Sequence, residues 1–515
     1  MAHEDRLDLL FRIQQLPINA YQGYRVLLFA PSEPDAPQHP QDVEIGRTEK
    51  RFETGSVAFA EPVRIVFRLG TRQDYKAYLA LYQPNSEEIE RIAGQANFSI
   101  FQVLKNTGTL TTLMKFEGFD LNSVPLLTVQ AQTLQEVSNG TVLQFAGHHL
   151  HSQNRHPIAP YFVLSVASRS GGGNAIHLYR SEVETGRTSP QWKQFVVPTK
   201  FLTILPDSEL IISCFNYNNN TDDTLIGRYS TTFFQLLSGA SKKHILVSAA
   251  GRKAEEMSLE VTHVGSNPIV SPLSTILASG TQLHFTLAID YTTHNGLQTE
   301  PNSLHFQHPH HHSPYATRLQ RITSNLETIG TSKVSLLGFG AKDMTSCFAL
   351  NGNIANSYSN VSDVLSWYRQ ASLTVQLYGP TNYADIISLV KKQAIAAEQL
   401  NRSMHFVLVI LTNGNLVKQG AFIETVDQVA KASRYPMSII FVGVGNDAHK
   451  FRNEPDSGLQ RLALPTVKSH DKASTNLQRE VVTIIDSSDD TKIPALPSEI
   501  YNAMSRHMIM WKLRR

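Results

Sequence analysis

The stretch "LHFTLAIDYTTHNG", residues 283–296, decides the fold of the carboxyl-terminal half. Its first seven residues read as a buried strand, and the chain then turns abruptly to Asp290, Thr292, Thr293, His294 and Asn295. Runs of the same kind follow at "VSLLGFG" (334–340), "HFVLVIL" (405–411) and "SIIFVGV" (438–444). Strands this continuously apolar are buried on both faces, as in a mostly parallel sheet. Between them "YATRLQRITSNLETI", "VSDVLSWYRQ", "YADIISLVKKQAIAAEQL" and "AFIETVDQVAKASRY" space their apolar residues at about 3.6, the period of a helix. Strands alternating with helices predict an α/β doubly wound module over residues 272–515.

Ligands of such sheets bind beyond the carboxyl ends of the strands. The positions to watch are therefore Asp290 to Gly296, Thr381 and Asn382 after "VQLYGP", and Thr412 to Gly414 after "HFVLVIL".

Upstream the pattern differs. Short strand-like segments such as "YRVLLFA", "VRIVFRL", "YKAYLALY", "YFVLSVA" and "ELIISCF" alternate with turn residues and leave no room for long helices. Two all-β sandwiches are expected, at 18–117 and 118–268. Residues 1–17, with Leu7, Leu10 and Phe11 along one side and Pro17 at the end, predict a short amphipathic helix.

A chain of 515 residues holds two to four domains. Lys and Arg number 46 against 44 Asp and Glu, so no overall field draws it to nucleic acid, and any contact with anionic lipid must be local. With two cysteines, Cys214 and Cys347, no disulfide framework is expected, and neither a signal peptide nor a membrane-spanning run is legible, so a cytoplasmic protein is expected. No Ser-His-Asp, Cys-His or phosphate-cradling glycine motif has a supporting context, and an enzyme is not expected.

The wording of several stretches goes further. "HFTLAIDYTTHNG", "PNSLHF", "LLGFGAK", "SCFALNGN", "VQLYGPTNYADII" and "YPMSIIFVGVGN" resemble the copine family, which has two C2 domains followed by a von Willebrand factor type A domain. The resemblance is strongest over 281–446, moderate over the second β module and weak over the first. It implies an adaptor that binds phospholipid membranes in response to Ca²⁺ and recruits partner proteins through the type A domain.

Carried over position by position, the resemblance puts Asp290, Thr292 and Thr381 at metal-ligand positions, with His294 in place of a serine and Asn413 in place of an aspartate. Hard cations take oxygen ligands and respond to their charge, so Mg²⁺ or Ca²⁺ binding is expected to be weak or lost. The second C2 module follows suit. Its third calcium loop, "CFNYNNNTDDTLIG" (214–227), carries Asn216, Asn218 and Asn220 where the family alternates aspartates. Asparagine is also an ordinary turn residue. Asp222 and Asp223 lie outside the alternation and read as solvated turn residues. In its first loop, "HLHSQNRHPIAPYF", Gln153 or Asn154 and Ala159 hold the acidic positions.

In the first module, "PSEPDAPQHPQD" (31–42) and "LYQPNSEE" (81–88) are taken as the corresponding loops, with Asp35, Asp42, Glu87 and Glu88 out of spacing. Arg64, Arg68, Arg72 and Lys76 are a candidate lipid-facing basic face, or a solvated strand face. The stretch "HFQHPHHHSP" (305–314) is a His-rich loop, of which "HPHHHSP" (308–314) reads as a surface loop. A second function stays open: a structural component of a protein assembly that binds neither lipid nor Ca²⁺.

Overall fold

The structure is a computed structural model. It describes residues 4–513 except 17–22, 31–41, 54, 71–72, 84–85, 117–124, 134–137, 152–157, 169–174, 203–207, 219–222, 239–242, 249–252, 270–272, 309, 343–346, 415–418, 446–458, 460, 461 and 463–476.

The expected amino-terminal helix is a strand, Glu4–Leu16. Asp5, Leu7, Leu9, Phe11 and Ile13 are all buried, a period of two that outweighs the helical spacing of Leu7, Leu10 and Phe11. Gln15, at φ 60°, lies in the left-handed region where the register against Gly55–Ala58 shifts. This strand lies between Leu126–Thr133 on one side and Gly55–Ala58 and Val63–Arg68 on the other. A second sheet, Val43–Arg47, Gly23–Ala30, Asp74–Tyr82, Ile89–Ser99 and Lys115–Phe116 in spatial order, packs against it. The first sandwich thus takes in residues 4–133, which corrects the boundary expected at 117.

The second sandwich runs from Ser138 to Ile269, two strands that pair with each other at its ends. Pro160–Ser168 and Ser208–Asn216 are neighbours, with Pro160 opposite Asn216.

In the third module Gln282–Asp290 lies parallel to Lys333–Phe339 and to Met404–Thr412, and Met437–Gly443 and Val482–Asp486 continue the parallel order. Alternate residues of one strand enter different cores. Val407, Val409 and Leu411 share a cluster with Leu319 and Ile322 of helix Pro314–Thr328 and with Met504 and Met508 of helix Leu496–Leu513. Phe406, Leu408 and Ile410 share another with Ile386 and Val390 of helix Ala384–Gln399 and with Val426 and Val429 of helix Gln419–Ala432. Helices therefore cover both faces of the sheet.

The first sandwich is docked on this module. The Ser274 amide donates to Asp5 Oδ2 at 2.7 Å, and Asn325 Nδ2 donates to the Gly70 carbonyl at 3.3 Å. Gly70 has φ +84°, and a Cβ there would fall 2.1 Å from the Tyr501 ring. Among the described residues no helix is long and apolar enough to cross a membrane.

Candidate functional site

The carboxyl ends of the parallel strands bring Asp290, Thr292, Thr381, His294 and Asn413 together. Asp290 is fully buried. Its Oδ1 accepts from the Thr292 amide at 2.8 Å, and its Oδ2 accepts from the Thr412 hydroxyl at 2.5 Å. Burial raises the Asp290 pKa, and the bonds from Thr412 and Thr292 pull it partly back. The Thr292 and Thr381 hydroxyls lie 3.4 Å apart. Both approach glycine backbone closely: a Cβ on Gly340, whose φ is +77°, would meet Thr292, and one on Gly414 would fall 2.0 Å from Thr381 Oγ1.

The two substituted positions are coupled to each other. Asn413 Nδ2 donates to the His294 carbonyl at 3.1 Å, and the His294 side chain is exposed. The amide that stands for a carboxylate thus ties down the neighbouring loop. With one carboxylate, both of whose oxygens already accept protein hydrogen bonds, this donor set does not fit a tightly held hard divalent cation.

Beneath the loop lies a polar network that motif comparison alone does not reveal. His305 Nε2 lies 2.8 Å from the Asp290 carbonyl and donates to it. The ring is stacked between Tyr291 and Tyr315 at 4.7 and 4.3 Å. Burial pushes its pKa down to about 4, so it is neutral at pH 7, and its Nδ1 lies 3.1 Å from the Tyr368 hydroxyl. Asn295 Nδ2 donates to the Asp290 and Thr292 carbonyls at 3.0 Å each, while its Oδ1 accepts from Tyr315 at 2.8 Å. The first histidine of the His-rich stretch is therefore part of the core. His308, His310, His311 and His312 are exposed, and among the described residues no three His, Cys, Asp or Glu side chains are grouped to hold a metal.

In the second sandwich Asn216 is buried and its Oδ1 accepts from the Ala159 amide at 2.8 Å, joining the two loop stems. Asn218 Nδ2 donates to Thr224 Oγ1 at 3.1 Å. Asp223, expected to be a solvated turn residue, is an anchor: its Oδ2 accepts from Tyr161 at 2.7 Å and its Oδ1 from the Asn218 amide at 2.9 Å. Asn220, Asp222, Gln153 and Asn154 lie outside the described residues.

The first sandwich corrects two expectations. Gly23 lies opposite Tyr82 and Phe29 opposite Lys76, so the chain leaves for 31–42 at one end and for 83–88 at the other. The two segments taken as paired loops do not share an end. The second correction concerns the basic face. Arg64 and Arg68 point outward from Val63–Arg68, in one sheet, and Lys76 points outward from Asp74–Tyr82, in the other. Outward faces of two packed sheets are opposite sides of a sandwich. Arg64 pairs with Asp8 at 3.0 Å and Lys76 with Asp42 at 2.6 Å, while Arg72 and Asp35 lie outside the described residues. Cys214 and Cys347 are buried, and burial pushes both thiols up to about 12.

Comparison with known proteins agrees with this architecture. The model of the copine domain matches residues 303–489 and that of the C2 domain matches residues 138–246. Copine-E of Dictyostelium discoideum is 26% identical over 369 residues, which cover 70% of this chain and 61% of that protein. The chain carries a copine domain, preceded by a C2 domain.

The copine match thus falls on the α/β module, and the C2 match on the second sandwich. Among solved structures, BON1-C2B is 21% identical and covers 26% of this chain and 98% of its own, with a TM-score of 0.22. A calcium-bound structure of the C2A and C2B domains of Extended-Synaptotagmin 2 is 12% identical and covers 52% of this chain and 99% of its own, with a TM-score of 0.19.

Proposed function

We propose that this copine-family chain is a non-enzymatic adaptor. Its sandwiches meet an anionic phospholipid surface, and the carboxyl end of its sheet, taken as that of a von Willebrand factor type A module, holds a partner protein. Dependence on Ca²⁺ and Mg²⁺ is weak or lost. The observation that supports this most is the state of Asp290: buried, its oxygens occupied by Thr292 and Thr412, with an amide at Asn413 in place of a second charge. Since Ca²⁺ affinity follows ligand charge, the neutral Asn216 and Asn218 weigh the same way in the second sandwich.

Sedimentation of the full chain with phosphatidylserine-containing vesicles, in Ca²⁺ and in chelator, tests the lipid half. Equal binding in both buffers is expected. Binding only in Ca²⁺ overturns the loss of dependence, and no binding in either leaves a structural component of an assembly. For the α/β module, millimolar Mg²⁺ is expected to leave the melting temperature unchanged, because a ligand of the folded state alone must raise it.

A further inference from the structure

At the loop end of the first sandwich, Arg25 Nη1 lies 3.1 Å from Glu87 Oε2 and Lys50 Nζ 3.0 Å from Glu87 Oε1. Lys50 also donates to the Ser86 carbonyl at 2.7 Å. Lys50, Arg25 and Arg47 together hold the Glu87 carboxyl below its ordinary range, with the Lys50 bond the largest cause. Beneath the cations lies Tyr82, fully buried, with Lys50 Nζ 4.7 Å and Arg25 Cζ 5.4 Å from its ring centre. The Tyr82 hydroxyl and Arg25 Nε are buried without a hydrogen-bond partner among the described residues.

The two cations and the carboxylate differ in exposure. The Arg25 and Lys50 side chains are 20% and 15% exposed, and that of Glu87 is 71% exposed. The cations are held by the sandwich, whereas their anion comes from the water side and can be exchanged. Apolar side chains flank the same end. Phe52, 53% exposed, lies against Gly23, and Ile89, 45% exposed, lies opposite Tyr82. A soluble phosphate uses cations alone, whereas cations beside exposed aromatic and aliphatic groups suit a membrane interface.

We propose that this end of the first sandwich binds the phosphate of anionic lipid headgroups directly through Arg25 and Lys50, without Ca²⁺, as the headgroup displaces Glu87 and Phe52 and Ile89 enter the interface. The inference rests on the membrane-adaptor function above and gives it a site.

The test is sedimentation of the full chain, in chelator, with phosphatidylcholine vesicles with and without phosphatidylserine. Arg25→Ala with Lys50→Ala is expected to lower affinity for anionic vesicles about thirtyfold, at about 1 kcal/mol for each cation. Glu87→Gln, a change at an exposed side chain that keeps the fold, is expected to raise it severalfold. Phe52→Ala with Ile89→Ala is expected to weaken vesicle binding. Wild-type binding by a correctly melting double cation variant overturns the site and leaves the membrane function standing. Failure of both the wild type and Glu87→Gln to sediment overturns both. Full competition by millimolar inorganic phosphate, with no effect of Phe52→Ala and Ile89→Ala, overturns the lipid assignment in favour of a soluble anion.

Discussion

The same end of the two sandwiches is built from opposite materials. In the second, Asn216 closes the strand opposite Pro160, and its amide, Asn218 and Asp223 satisfy one another and the buried Tyr161 hydroxyl. In the first, Tyr82 closes the strand opposite Gly23, and cations stand above it around a carboxylate exposed to water. The acid in the second end is part of the structure, and the acid in the first is a replaceable counter-ion. Position alone therefore does not say what a carboxylate does; its burial and the groups it accepts from do.

The α/β module adds a third case, and the largest expected effect lies there. The His305 pKa is depressed from its ordinary value to about 4, so its contribution to stability is present above about pH 6.5 and lost as pH falls through about 4. The apparent unfolding free energy should fall by a few kcal/mol over that window, about as much as two to three pK units carry. His305→Gln should flatten the slope in denaturant titrations repeated across pH.

The direct comparison of the two loop ends comes next. Asp223→Ala removes the acceptor of the buried Tyr161 hydroxyl and should cost about 2 kcal/mol by denaturation. Glu87→Gln, the equivalent operation on the first sandwich, should change stability by less than about 0.5 kcal/mol, because exposed ion pairs contribute little. Equal losses would erase the distinction between anchor and counter-ion. Between these, Asn413→Asp removes the donor to the His294 carbonyl and places a second carboxylate near Asp290, for a loss of about 1 kcal/mol. A melting temperature restored by Mg²⁺ in that variant alone would mean that the site keeps the geometry for a cation and lacks only the charge.

Much of the architecture was legible. Continuous apolar runs marked the parallel strands, and 3.6-residue spacing marked the helices on both faces. The amino-terminal strand was missed because Leu10 and Pro17 supply a helical reading of a segment whose buried residues alternate in twos. That one omission displaced the first loop by one connection, to 31–42, which leaves the sandwich at the end opposite the segment 81–88 paired with it. The residues at the candidate site were legible as types, but their partners were not. His305 sits at the head of a His-rich loop whose later residues read as surface, and Asp223 in a turn that reads as solvated. In both, contacts from distant strands and helices decide the role, and local composition carries no trace of them.

The first strand, Glu4–Leu16, also bears on how the protein is made. Phe11 finds its neighbour at Val129, and Asp5 its donor at Ser274. A chain emerging in order from the ribosome thus pairs one edge of this strand with Gly55–Ala58 and Val63–Arg68 well before Leu126–Thr133 exists, and must keep the other edge open until that strand arrives. A fusion or truncation that disturbs the amino terminus should therefore show itself first as aggregation during synthesis, before any loss of binding.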